Sequence, residues 1–266
     1  MIALFDIGNT HTHAGLAGGG KILRHIDIPT AGWKTGAAQR VAAKFFGAKA
    51  ISGAALCSVV PAATPRVCQF VKSKFKADCF VLTHKTARGV GVDYPRPATI
   101  GPDRLANAIG VIHFCGAPAV VVDFGTAVTF DVVDKRGCYV GGVIAPGLNA
   151  MTDYLHEKTA LLPRIKIRET TSVIGRNTEE AMLIGAVHGY RGLARELILE
   201  LKKALGVRRL PVVATGGYAE LIAAGLPEIT SVMPELTLEG LRLVWNAHQP
   251  GAGGEAQCRL GQCAIF

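Results

Sequence analysis

Residues 4–16 read LFDIGNTHTHAGL, and residues 121–133 read VVDFGTAVTFDVV. Each stretch sets Asp-x-Gly, closely followed by Thr, inside an apolar run. Asp6, Gly8 and Thr10 form the first set, and Asp123, Gly125 and Thr126 the second. The flanking residues alternate as strands do, so each motif reads as the turn of a β-hairpin. One copy alone reads as ordinary hairpin chemistry, because Asp, Asn and Gly are common turn residues. Two copies, each heading a similar run of elements, read as a duplicated fold.

Outward from the first hairpin, residues 2–7 and 12–17 are expected strands and 21–28 a third. Residues 33–46 read as a helix, 49–60 as a strand, 63–76 as a helix and 79–83 as a strand. The Pro- and Gly-rich stretch RGVGVDYPRPATIGPDR marks a seam. The pattern then restarts, with strands at 118–125, 126–134 and 138–145 and helices at 148–161 and 178–205. Asn177 and Glu180 stand at capping-box spacing. A strand at 210–217 ends in ATGG, and a final helix covers 237–248. The expected architecture is α/β, with duplicated halves at 1–101 and 102–249, each a mixed sheet with flanking helices, and a nucleotide cleft between them. Residues 250–266 read as a flexible tail.

Composition narrows the function classes. The 266 residues are 49% hydrophobic and 18% charged, the balance of a globular chain, and no run reaches the length of a membrane span. The N-terminus enters a strand pattern at once and shows no leader. Seven cysteines, an odd number set mostly in apolar runs, fit buried thiols in a reducing cytoplasm. Cys258 and Cys263 lack the companion ligands of a zinc site. The net charge of +9 resides in residues 1–100, which hold 13 basic and four acidic residues. The basic residues are scattered and not interleaved with aromatics, so a nucleic-acid groove is not expected. An anionic small substrate suits that charge.

The turn chemistry points to phosphate. Glycine leaves room for an anion to approach the backbone, exposed N–H groups form an anion-binding nest, and Thr hydroxyls add donors. A carboxylate just before the Gly is a ligand for a cation.

These residues carry a resemblance. Asp-x-Gly hairpins heading duplicated halves resemble the superfamily of acetate and sugar kinases, actin and heat-shock chaperones. Within it the chain resembles the type III pantothenate kinases. The matching stretches are DIGNT (6–10), GPDRLANAIG (101–110), VVDFGTAVTFDVVD (121–134), YVGGVIAPGL (139–148), TALLP (159–163), IGRNTEEAMLIGAVHGY (174–190), ATGGYAELI (214–222) and LTLEGL (236–241). They run in family order over residues 2–246.

The resemblance implies an ATP-dependent kinase that phosphorylates the primary hydroxyl of pantothenate, the first step toward coenzyme A. By resemblance, Asp103 is the group that accepts or orients the hydroxyl proton. A helix start there is expected to keep it ionised. Arg104 is placed for the pantothenate carboxylate or for transition-state charge. Asp6 is the candidate for positioning Mg²⁺, and Gly8, Asn9 and Thr10 for the phosphates. Asp123 resembles the position associated with a monovalent cation, K⁺ or ammonium. Gly125 and Thr126 belong to the second phosphate turn, and Gly216 and Gly217 border the nucleotide. Tyr94 and Gly101 resemble substrate-pocket positions, and Thr159 one contributed across a homodimer interface. His11, Arg96, Pro102 and Val128 depart from the family pattern. The alternatives are a nucleotide-binding accessory regulator of transcription with little turnover, or a kinase of the same fold for another small hydroxy-acid.

Overall fold

The duplication read from the two hairpins is visible in the strand order. The computed structural model describes residues 1–249; the expected tail and the Cys258–Cys263 pair lie outside them. The first five strands are β1 (Ile2–Ile7), β2 (His11–Gly18), β3 (Lys21–Pro29), β4 (Gly53–Ser58) and β5 (Cys79–Val81). They form a sheet in the order β3-β2-β1-β4-β5. The hairpin strands pair antiparallel, and β4 and β5 pair parallel. Helices α1 (Gly32–Thr35), α2 (Ala37–Phe46) and α3 (Thr64–Phe75) supply the crossovers. The single helix expected over 33–46 is split at Gly36, whose φ is 82°.

After the two-residue strand β6 (Gly91–Val92) and helix α4 (Pro102–Cys115) come β7 (Ala119–Phe124), β8 (Ala127–Val133) and β9 (Cys138–Pro146). Helices α5 (Leu148–Lys158), α6 (Thr178–Ile184) and α7 (Tyr190–Ala204) follow. The last elements are β10 (Val212–Thr215), α8 (Ala219–Ala223), β11 (Ser231–Val232) and α9 (Leu236–Ala247). The second sheet runs β11-β10-β7-β8-β9-β6. Apart from β6, that is the first sheet's order again: the leading strand is central, its hairpin partner lies on one side and a parallel crossover strand on the other. The expected N-cap forms, with Glu180 N–H donating to Asn177 Oδ1 at 2.9 Å, and the Glu180 carboxylate reaches back to accept the Arg176 N–H at 2.9 Å. The expected helix over 178–205 contains a π turn at Gly185–Gly189.

The chain divides into two compact units. The first comprises Met1–Ala117, Lys135–Val140 and the described residues from Glu235 onward; the second is Pro118–Asp134 with Gly141–Pro234. The halves 1–101 and 102–249 each supply one set of five corresponding strands, whereas the units group α4 and α9 with the first sheet.

In the first unit Phe5, Trp33, Phe46, Phe70 and Phe75 pack edge to face or tilted, with Phe5 and Phe46 centroids 5.5 Å apart. Truncating a buried aromatic in such a cluster costs about 3–5 kcal/mol. Helix α4 lies tightly on α9. A Cβ at Gly240 would fall 1.9 Å from the Ala106 carbonyl oxygen, so only glycine permits that approach. The buried Asn107 Oδ1 accepts from Thr237 Oγ1 at 2.7 Å. This packing fixes the helix whose first turn carries Asp103.

In the second unit the core strands β7 and β10 are buried almost throughout, as parallel neighbours should be. Arg191, also buried, donates to both carboxylate oxygens of Glu169 at 3.0 and 2.6 Å and to the Ile222 and Leu221 carbonyls. It ties the irregular segment before α6 to α7 and α8. No helix among the described residues is long and apolar enough to cross a membrane.

Candidate active site

In the first unit the site starts at the end of β1. Asp6 is half-buried, and the sheet register gives it His13 on β2 and Cys57 on β4 as neighbours. The Cys57 thiol donates to Asp6 Oδ1 at 3.3 Å. His13 Nδ1 lies 2.6 Å from Asp27 Oδ1. Burial pushes the Asp6 carboxyl up to about 6, and the Asp103 charge adds to that push; the His13 charge and the Cys57 hydrogen bond oppose it. Burial and the Asp6 charge hold the Cys57 thiol well above its usual range, so it stays a protonated donor.

Asp103 thus acts on Asp6 within one unit, although 96 positions of sequence separate them. It sits in the first turn of α4, behind Gly101 at the N-cap and Pro102 at the first helical position, where proline's fixed φ suits a helix start. Its Oδ1 accepts the Arg104 N–H at 2.9 Å. The expected helix start is present at Asp103. The Arg104 N–H and charge do lower its pKa, but burial outweighs them and the net shift is upward. A raised pKa makes the carboxylate a better proton acceptor. Gly101 matters to this geometry, because a Cβ there would lie 2.4 Å from Asp103 Oδ1.

Arg104 stacks over the buried Tyr139 ring, 5.7 Å from its centroid, and Tyr94 meets the same ring at 6.1 Å. Of the residues expected to line one pocket, Tyr94 and Arg104 therefore meet at Tyr139, and Gly101 lies against Asp103 and Arg104. Sequence reasoning missed Tyr139 although it opens the quoted YVGGVIAPGL stretch. Arg96 is exposed just before a 3₁₀ turn at Pro97–Thr99, and His11 is exposed at the start of β2.

Gly8, Asn9 and Thr10 form the turn after β1, with Asn9 and Thr10 exposed and the Gly8 N–H donating to the His11 carbonyl at 3.0 Å. In the second unit Asp123 ends β7 in the corresponding place, with Thr129 on β8 and Thr215 on β10 as register partners. Its turn is one residue shorter. Phe124 pairs with Val128, whereas Ile7 pairs with Thr12, and the Gly125 N–H donates to the Ala127 carbonyl at 3.1 Å. Gly125 and Thr126 are exposed, and Val128 is buried in the sheet. Neither Gly8 nor Gly125 has a positive φ, so a left-handed backbone is not what calls for glycine there. That conformation belongs to Gly216, whose φ is 88°, and a Cβ there would lie 2.6 Å from Asp123 Oδ1. Gly217 beside it faces open space. Thr159 caps the end of α5, donating to the Leu155 carbonyl at 2.9 Å, and is exposed.

Among the described residues no cluster of three or more His, Cys, Asp or Glu side chains could hold a metal ion. A divalent ion at Asp6 would thus be shared with phosphate oxygens and water, the usual habit of Mg²⁺. The two mutually destabilising carboxylates, Asp6 and Asp103, fit a cation that offsets their charge.

Two sheets of one strand order, each with a carboxylate and a glycine turn at the end of its central strand, define an α/β fold of duplicated, actin-like halves, as expected. Residues 2–200 match the family model of type III pantothenate kinases. The chain belongs to the type III pantothenate kinase family. A type III pantothenate kinase from Akkermansia muciniphila is 54% identical over 71% of this chain and 76% of its own length. One from Methylacidiphilum infernorum is 43% identical over 91% and 86% respectively. Among solved structures, a Campylobacter jejuni protein assigned to the Baf family of transcriptional activators superposes with a TM-score of 0.60, covering 92% of this chain and 98% of its own, at 16% identity. MreB 5 of Spiroplasma citri gives 0.52 at 10% identity, with coverage of 92% and 96%. At those identities the likeness is one of fold alone.

Proposed function

We propose that this chain transfers the γ-phosphoryl group of ATP to the primary hydroxyl of pantothenate, forming 4′-phosphopantothenate, the first step of coenzyme A synthesis. One observation carries the reading: within one unit of a pantothenate-kinase chain, Asp103 is half-buried, raised in pKa and electrostatically coupled to Asp6 at the first phosphate turn. The hydroxyl oxygen attacks the γ-phosphorus as the bond to the β–γ bridging oxygen breaks, and Asp103 accepts the hydroxyl proton. Arg104, held over Tyr139, pairs with the substrate carboxylate, and Tyr94 and Gly101 complete that side of the pocket. Gly8, Asn9 and Thr10 receive phosphate oxygens, as do Gly125 and Thr126; Gly216 and Gly217 border the nucleotide. Mg²⁺ held at Asp6 would neutralise developing phosphate charge. Asp123 is the seat of K⁺ or ammonium.

The protein works as a cytoplasmic homodimer in this reading. Its support is a set of exposed apolar side chains on the second unit, Ile144, Tyr154, Leu161, Val173 and Ile174, each more than 60% exposed, with Thr159 among them in sequence. The five described cysteines are free thiols, as a reducing compartment favours.

A coupled ADP-release assay over pantothenate and a panel of other small hydroxy-acids tests the activity. Pantothenate-dependent turnover is the expected result, and its absence with ATP bound rejects the substrate. In the same assay K⁺ or ammonium added to a sodium buffer should raise the rate several-fold, and Asp123→Ala should abolish that response. Equal rates in all three salts would remove the monovalent cation from the reading.

A further inference from the structure

We infer that Thr30 is a positioning residue for nucleotide binding, because it holds the first Asp-x-Gly turn with both of its inward carbonyls turned away from the phosphates. The inference rests on the proposal that this turn binds ATP. Thr30 follows β3 and makes two bonds to the turn. Its hydroxyl donates to the Gly8 carbonyl at 2.7 Å, and its N–H donates to the Thr10 carbonyl at 3.0 Å. A phosphate is repelled by carbonyl oxygens and attracted by N–H groups. In a planar trans peptide the C=O and the following N–H point in opposite directions. Holding the Gly8 carbonyl toward Thr30 therefore aims the Asn9 N–H to the other side, where an anion nest needs it.

The hydroxyl is itself held in that role by a directed chain. Thr12 Oγ1 and Thr30 Oγ1 are 3.0 Å apart, and the indole N–H of Trp33 lies 3.0 Å from Thr12 Oγ1. A hydroxyl has one hydrogen. Thr30 gives its own to Gly8, so Thr12 donates to Thr30, and Trp33, which can only donate, supplies Thr12. The chain runs Trp33 to Thr12 to Thr30 to Gly8 in a single direction. Thr12 and Trp33 are fully buried and Thr30 almost so, and no competing water reaches the first two. The Trp33 N–H of the backbone closes the arrangement by donating to the Thr30 carbonyl at 3.1 Å. Nothing in the Asp-x-Gly motif encodes this support, which comes from a strand and helix start some twenty residues further on.

The test is Thr30→Val, which keeps shape and loses the donor, beside Thr30→Ser, which keeps the donor. Calorimetry with MgATP and steady-state kinetics in both substrates are read against thermal melts. Thr30→Val should raise Kd and KM for ATP about tenfold, the scale of one well-placed hydrogen bond, with the pantothenate KM changed less than about twofold. Thr30→Ser should restore ATP binding to within about threefold of the native protein. Val67→Ala, in the buried face of α3, serves as a comparator that lowers the melting temperature without moving the KM for ATP. Unchanged ATP binding in a folded Thr30→Val protein, parallel rises in both KM values, or no rescue by serine would each overturn the positioning role. Failure of the native protein to bind ATP would instead overturn the nucleotide reading of the turn and the inference with it.

Discussion

Asp103→Asn lowers kcat with pantothenate by a hundredfold or more, leaves ATP binding in place and does not lower stability. The amide still offers Oδ1 to the Arg104 N–H, so the first turn of α4 keeps its local bond. What it loses is the capacity to take the hydroxyl proton, an effect of about 10²–10⁴ in rate for a positioned general base. ATP binding does not suffer, because the Asp103 charge adds to the push on Asp6 and its removal lessens the negative potential near the first phosphate turn. The pH profile separates this from a folding defect. Burial raises the Asp103 pKa above that of a free carboxyl, so native kcat/KM falls as the medium is acidified and the base is protonated. The amide variant, with no proton to gain at this position, should lose the acid limb that Asp103 supplies. Turnover near the native rate would remove Asp103 from the chemistry.

The two hairpins were legible because an Asp-x-Gly interruption of an apolar alternating run has few structural readings, and its repetition leaves fewer. The matching strand orders of the two sheets accord with that duplication. The candidate residues Asp103, Arg104, Tyr94 and Gly101 came from motif resemblance, and the meeting of Tyr94 and Arg104 at Tyr139 goes with β6 pairing with the first residues of β9. A two-residue strand such as β6 carries no periodicity to read. Cys57 escaped notice for a similar reason: it becomes the neighbour of Asp6 only through the parallel register of β1 and β4, and a buried cysteine looks like any small hydrophobe in sequence. Thr12, Thr30 and Trp33 are ordinary residues until folding lines them up. The break at Gly36 was present in the sequence, but the apolar spacing on either side of it continues as one helix would. Gly8 and Gly125 were read as leaving room for an anion at the backbone, and neither uses glycine's freedom to take a positive φ. The structure assigns that freedom to Gly216, because it is there, against the Asp123 carboxylate, that the chain takes a positive φ.

Asp6→Asn separates function from stability most sharply. The carboxyl titrates near 6 in the folded protein, against an ordinary value of 3.8, because it is buried and faces the Asp103 charge. Between those two pH values the folded state holds more protons than the unfolded chain, so stability falls as pH rises through that window. Above about 6 the full penalty of an ionised, half-buried Asp6 is present; below about 4 it is absent. An amide removes the penalty and keeps an acceptor for the Cys57 thiol. At pH 7.5 the ligand-free variant should therefore be more stable than the native protein, by on the order of 1–2 kcal/mol once solvent screening is allowed for. That corresponds to a rise of about 2–4 °C in melting temperature per kcal/mol for a chain of this size. At pH 4 the two melting temperatures should converge. Addition of MgATP should reverse the order, stabilising the native protein through binding and leaving the variant nearly unmoved, while turnover falls by a hundredfold or more. In that outcome the destabilising charge is the feature a nucleotide-bound cation would use. A ligand-free variant that melts lower than the native protein at pH 7.5, or one that MgATP stabilises equally, would show that Asp6 serves the fold and not the phosphates.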